Sequence, residues 1–536
     1  MGEECLKRAM VWFAMSALAM ATLAPGAMPG AWAGQPVGTP AATPVSEVTP
    51  VAVGGALPLG AADLPETRTT SEVAPGVTFT RIVRGTHANT APYNVDVAFE
   101  ATETAAIAVA DRLAGDGTGA RVEAVASRPA DAPGTGPLGY RVRVGPFVSM
   151  VEAIAARAGL IEAGYETPRV VFSGEDGEDT TGPWVVHVLA VDPGVFQGSV
   201  RPVLATELVP GKERVADIAR RTGALAAVNA GYFVVGPTDG TPGDLAGVSV
   251  IGGQLLSEAV NGRTALLFPA ADGDGVTVAT VTTEHAVTAA SGARREVDGL
   301  NREPGLIRSC GGVGGDQPTE APKHDFTCTD EGEVIHFAPI FGQITVAGEG
   351  VEVALDNTGT VVEVRARRGG GIPRDGSVLS GTGDGAEWLT ANAPLGAELR
   401  MDSRVLADGE PVTLGATAAI VNGGPRLLSA AAEGFHWEED PGFYYRFGVR
   451  RNPRTLAGVT ADGTLLFVTV DGRQPGWSVG ASFEESALIM QSLGATEAVN
   501  LDGGGSTAMA IGDGPVNRPS DATGERPDGD SIVILP

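Results

Sequence analysis

The chain has 536 residues, 43% of them hydrophobic, and a formal net charge of -28. That length accommodates two or more domains of roughly 100 to 200 residues each, and the apolar share is enough for a real core. The charge excludes a nucleic-acid binder, which needs clustered Lys and Arg against phosphates, so any anionic ligand must be held by a local pocket.

The first 33 residues have the pattern of a signal peptide. Lys7 and Arg8 precede an apolar run from Ala9 to Leu23, and Ala31-Trp32-Ala33 supplies an A-x-A cleavage site. The run is short of the ~20 residues a membrane span requires. The expectation is a secreted, extracellular protein with no stable membrane span and with scope for cell-wall association. Cleavage would remove Cys5 and leave Cys310 and Cys328, a pair expected to form a disulfide in an oxidising exterior. A zinc site including His324 is the alternative, but it has no clear fourth ligand.

Residues 34–73 are rich in Pro, Ala, Thr and Val without periodicity, the composition of an extended linker. The stretch "PGVTFTRIVR" (75–84) predicts a strand, so 74–92 reads as the opening of the larger, catalytic domain. Two near-repeats follow, starting at Tyr93 and Tyr140, and each reads as strand, Ala-rich helix, strand. Together they predict a ferredoxin-like βαββαβ domain over 93–172, inserted into a surface loop of the larger one. From "GPWVVHVLAVDP" (182–193) onward, short strands alternate with Gly and Pro turns. Helices are expected at "VADIARRTGA" (215–224) and at "SFEESALIMQSL" (482–493), where Ser482 and Glu485 form a capping box. The fold class is therefore α+β, a strand-rich domain of mixed sheets over 182–536 carrying an inserted ferredoxin-like domain.

Near the end stands "AVNLDGGGSTAMAI" (498–511), in which three glycines follow an aspartate at the end of an apolar strand. Successive amides of a Gly-rich turn can converge on an anion, and Ser506 and Thr507 add hydroxyls. Four further polar clusters interrupt or end apolar strands. These are Asn229 in "AAVNAGYF", Arg451 and Arg454 in "RRNPRTLAGV", Asp471 and Arg473 in "FVTVDGR", and Glu525 and Arg526 in "DATGERPDGDSIVI".

With "NGGPRLL" (422–428), these stretches resemble, in order, the motifs of the phosphodiester glycosidase family. The resemblance implies hydrolysis of a sugar-1-phosphodiester at the anomeric carbon. Asn452 departs from the histidine expected at that position. "YRVRVGPF" resembles the sporulation-related (SPOR) repeat, which implies peptidoglycan glycan strands as a partner. On this resemblance Asp502 is the leading catalytic carboxylate, with Asp471 and Glu525 as candidates for the second. Arg451, Arg454 and the loop Gly503, Gly504, Gly505 and Ser506 are expected at the phosphate. Asn229 and Asn500 are expected to hydrogen-bond sugar hydroxyls or to orient the acids, and Thr455 and Arg526 are expected among the substrate-binding residues. No cofactor is required, and no spacing fixes ligands for a divalent cation among these carboxylates. Attack at phosphorus, or a wall-binding module without turnover, are the competing readings.

Overall fold

The computed structural model describes residues 55–536 apart from 88–92, 127–134, 173, 261–262, 270–274, 309–316, 319–326, 430–444 and 513. The signal peptide, Cys5, Cys310 and His324 lie outside the described residues. Cys328, the other half of the expected disulfide, is buried on the strand Thr327–Thr329.

The central sheet has seven strands. In order across it run Glu66–Ala74, Val77–Arg84, Trp184–Val191, Leu465–Val470, Arg454–Thr460, Ala495–Asn500 and Arg426–Leu428. Leu465–Val470 is buried at every residue because both faces of the sheet are covered. On one face Leu456, Val468 and Leu466 pack against Ile489 and Met490 of the helix Phe483–Ser492. On the other, Ala457 and Phe467 meet Val228 and Ile532 of a second sheet and Leu266 and Val421 of a third. That helix starts as expected, with Ser482 capping the Glu485 amide and the Glu485 carboxylate returning to the Ser482 amide.

The second sheet has five strands, among them Met509–Ile511, Ala226–Asn229, Asp530–Leu535 and Ser199–Leu204 side by side. The helix Val215–Thr222 covers its outer face through Ile218 and Ala219. Sequence reading missed the helix Gly383–Asn392, whose first three residues, Gly383, Asp384 and Gly385, are poor helix formers. Its buried Leu389 packs on Val353 and Leu379, so tertiary contact outweighs propensity there. Among the described strand pairs all are antiparallel except Gly299–Leu300 with Val334–Phe337.

The linker expectation for 34–73 needs correcting. Glu66–Ala74 is a strand paired along its length with Val77–Arg84. Before it, Leu57 and Leu59 are buried. The buried Arg84 guanidinium donates to the carbonyls of Leu59, Ala61 and Leu64. Apolar anchors and an arginine outweigh the irregular composition.

The chain leaves the central sheet at Arg84 and returns at Trp184 to pair with the same strand. Between them the strands Tyr93–Glu100, Arg121–Val125, Gly139–Phe147 and Arg169–Phe172 form an antiparallel sheet in the order second, third, first, fourth. The helices Glu103–Gly115 and Met150–Glu162 share one core with it, through Ala106, Leu113, Ala153 and Leu160. This unit does not hang free. Arg143 pairs with Asp96 at 2.7 Å and with Asp176 at 2.9 Å. Arg141 reaches Glu178 at 2.9 Å. Tyr445 stacks on Phe99 and donates its hydroxyl to Asp96. Burial raises the Asp96 carboxyl, but the Arg143 charge and hydrogen bond outweigh it and hold the group below its ordinary pKa.

Removing one partner from a buried pair leaves the other charge uncompensated. Arg143→Leu should therefore cost roughly 3 to 5 kcal/mol of stability by that principle, read by denaturant unfolding of the whole chain. Unchanged stability would mean that the Arg143 ion pairs contribute nothing net to folding.

Candidate active site

The glycine loop crosses from one sheet to the other. Ala495–Asn500 ends in the seven-stranded sheet and Met509–Ile511 begins in the five-stranded one. Asn229 ties the crossing together from the end of its own strand. Its Nδ2 donates to the Asp502 carbonyl at 2.8 Å, while Oδ1 accepts from the Thr455 hydroxyl at 2.6 Å and the Ala508 amide at 3.0 Å. Both residues are buried, so Asn229 and Thr455 brace the loop and their side-chain hydrogen bonds are spent within the protein. Asn500 also points inward, its Nδ2 donating to the Tyr232 hydroxyl and to the carbonyls of Gly424 and Leu501.

Most of the loop amides are spent internally, against the expectation that they converge on an anion. Gly503 donates to Asp502 Oδ1, Gly504 to the Pro453 carbonyl, Ser506 to Gly503 and Thr507 to Gly504. The glycines serve two guanidinium groups instead. A Cβ on Gly504, whose φ is +62°, would lie 3.1 Å from Arg473 Nη1. One on Gly505 would fall 2.0 Å from Arg526 Nη2. Arg526 is oriented by Asp521 at 2.9 Å. Arg473 donates Nε and Nη2 to the Asn452 Oδ1 at 3.2 and 2.9 Å. Asn452 thus orients an arginine, and the structure gives it no acid or base role.

The other two expected arginines are committed elsewhere. Arg451 is nearly buried and bidentate on Glu485, with Nη1 on the carbonyls of Gly174 and Glu178. Arg454 is buried between Phe483 and Phe447 and donates to the carbonyls of Ala481 and Arg450. Both hold the strand entrance through bonds within the protein. The two alternative carboxylates are likewise occupied. Asp471 is buried and accepts from the Trp477 indole at 2.8 Å, the Arg518 amide at 3.0 Å, His187 and Asn517. Glu525 accepts from the Ala216 amide at 2.9 Å and so caps the helix Val215–Thr222.

Two aspartates that sequence reading passed over stand in their place. Asp528 and Asp530 flank Gly529 at the start of the last strand, both nearly fully buried. Asp530 accepts from the Gly231 amide at 2.8 Å, while Asp528 has the Ser506 hydroxyl as its neighbouring donor, without a well-formed hydrogen bond to either oxygen among the described residues. Burial and then the Asp502 charge push the Asp528 carboxyl well above the usual range. Burial pushes Asp530 up to about 7, opposed by the Gly231 amide and reinforced by Asp502. Asp502 itself is half-buried. The available signal was the D-G-D spacing in "RPDGDSIVIL", which puts two carboxyls on one side of the strand's start. Among the described residues no group of three or more His, Cys, Asp or Glu is placed to hold a metal ion.

A carboxyl raised on folding contributes stability below its unfolded pKa and loses it as pH rises through the folded value. Asp530→Asn, which keeps an acceptor for Gly231, should therefore change stability little near pH 4. Near pH 8 it should be more stable than the parent by up to about 4 kcal/mol, three pKa units at 1.36 kcal/mol each. Unfolding curves at the two pH values that gave equal differences would contradict this.

The phosphodiester glycosidase family model matches residues 349–535. A Burkholderia pseudomallei protein, provisionally classed as exported, is similar at 34% identity and TM-score 0.80, over 90% of this chain and 99% of its own. A hypothetical Synechocystis protein shares the fold at 18% identity and TM-score 0.51, over 88% of this chain and 81% of its own. The zebrafish N-acetylglucosamine-1-phosphodiester alpha-N-acetylglucosaminidase catalytic domain overlaps too little to argue from, with TM-score 0.31 at 15% identity, over 69% of this chain and 78% of its own. No curated protein matches. On its match to the family model, the chain carries a phosphodiester glycosidase domain over residues 349–535.

Proposed function

We propose that the protein is an exported hydrolase that cleaves the anomeric C–O bond of a sugar-1-phosphodiester and releases a phosphomonoester. The observation that carries this reading is the grouping of Asp502 with the buried Asp528 and Asp530, beside a glycine loop flanked by Arg473 and Arg526. Export is supported by the signal-like first 33 residues and by the exported class of the Burkholderia relative. No helix among the described residues is long and apolar enough to cross a membrane.

The chemistry suits these groups. A departing phosphomonoester has a second pKa of only about 6, so it needs anion stabilisation more than full protonation. Arginines bind phosphate oxygens through paired N–H donors, which is the role of Arg473 and Arg526. As the C–O bond breaks, positive charge develops on the sugar ring. A carboxylate at Asp502 stabilises that charge, attacks it or activates water. Asp528, kept protonated by burial and by Asp502, supplies a proton where the leaving oxygen requires one. Attack at phosphorus would leave the three aspartates without a developing cation to serve. Envelope or extracellular glycans are the substrates within reach of an exported enzyme.

Asp502→Asn preserves shape and removes a charge needed mainly in the transition state. On a sugar-1-phosphodiester it should lower kcat by two or more orders of magnitude while leaving KM nearly unchanged. A folded variant with near-parental kcat would remove Asp502 from the chemistry.

A further inference from the structure

A second group of arginines lies where the small four-stranded unit meets the catalytic sheet. Glu175 Oε1 accepts from Arg450 Nη2 at 2.9 Å and from Arg169 Nη2 at 3.2 Å. Arg169 belongs to the last strand of the small unit. Arg450 is 2% exposed, and its Nε has no hydrogen-bond partner among the described residues. Asn452 links Arg473, at the glycine loop, to this group: its Oδ1 accepts from Arg473 and its Nδ2 donates to the Arg450 carbonyl at 3.0 Å.

Two of these guanidinium groups share a single carboxylate oxygen. Asp96 is taken by Arg143 and Tyr445, and Asp521 by Arg526. Among the described residues Glu175 is thus the one carboxylate in hydrogen-bond contact with Arg169 and Arg450, while Asp96 and Asp521 act on the cluster from farther away. Partial burial, and then the Arg450 charge, hold Arg169 down to about 10, with Glu175 opposing. Buried charge is tolerated where it is paired, and the partly exposed Arg169 and the exposed Arg473 can offer their remaining donors to a ligand that would add to the pairing. Phosphate matches guanidinium donors in geometry and charge.

We propose that Arg169, Arg450 and Arg473 form a second anion subsite, contiguous with the glycine loop through Arg473, that takes a further phosphate of the substrate. The inference rests on the hydrolase reading above and narrows its substrate class to sugar phosphodiesters with anionic charge beyond the scissile group, such as linear phosphodiester-linked glycans. It also gives the small unit a direct part in substrate binding.

The test uses the full chain with inorganic phosphate and with linear tripolyphosphate as probes, titrated by calorimetry at fixed ionic strength. Tripolyphosphate should bind the parent at least tenfold more tightly than phosphate, because it spans both subsites. Arg169→Gln should lose about tenfold of tripolyphosphate affinity, the usual range for a lost charge-assisted hydrogen bond, and little affinity for phosphate. Arg169→Lys should recover part of it. Arg169 is 41% exposed, so these variants should fold, and matching thermal unfolding would confirm it. Equal binding of the two probes by the parent, or an unaltered tripolyphosphate affinity in folded Arg169→Gln, would overturn the proposal. Because the readout is binding, either result leaves turnover of sugar-1-phosphodiesters to be judged by itself.

Discussion

The site depends on one carboxamide. The glycine loop must carry the chain from the seven-stranded sheet to the five-stranded one, and Asn229 is the side chain that holds both ends. Its Oδ1 joins Thr455 of the first sheet to Ala508 at the edge of the second, and its Nδ2 fixes the backbone of Asp502 between them. An amide with a donor and an acceptor on one rigid plane can do this, whereas an aspartate would present two acceptors to the Asp502 carbonyl. Once that backbone is fixed, the Asp502 carboxylate, the two arginines at the glycines and the buried aspartates have settled positions.

A cost accompanies this arrangement. Asp528 and Asp530 are buried beside a third carboxyl, and the Arg526 charge only partly offsets this at Asp528, which is unfavourable for folding and raises their pKa values. Such clusters are expected where chemistry requires a carboxyl that keeps its proton near neutral pH. By contrast Asp471, equally buried, is surrounded by four donors and belongs to the scaffold. The number of donors around a buried carboxylate separates the two roles better than burial does.

Local signals were legible in the sequence. The capping box at Ser482, the alternating strands and the glycine loop all announce themselves within a few residues. The partners of the arginines were not legible. Arg451 is bound by Glu485, 34 positions away, and Arg454 by carbonyls brought in from a neighbouring segment. Nothing near either residue in sequence distinguishes a structural arginine from a phosphate ligand. Arg473 and Arg526 become the better candidates only once their guanidinium groups are seen against Gly504 and Gly505. The same holds for the linker, where Leu57 and Leu59 gain meaning from the pocket they fill.

The central claim is that the bond broken lies on the sugar side of the phosphate. Hydrolysis of a sugar-1-phosphodiester in oxygen-18 water, with mass analysis of both products, tests it most directly. Attack at the anomeric carbon places the label on C1 of the released sugar and leaves the phosphomonoester unlabelled. Label in the phosphomonoester would show attack at phosphorus and contradict the account.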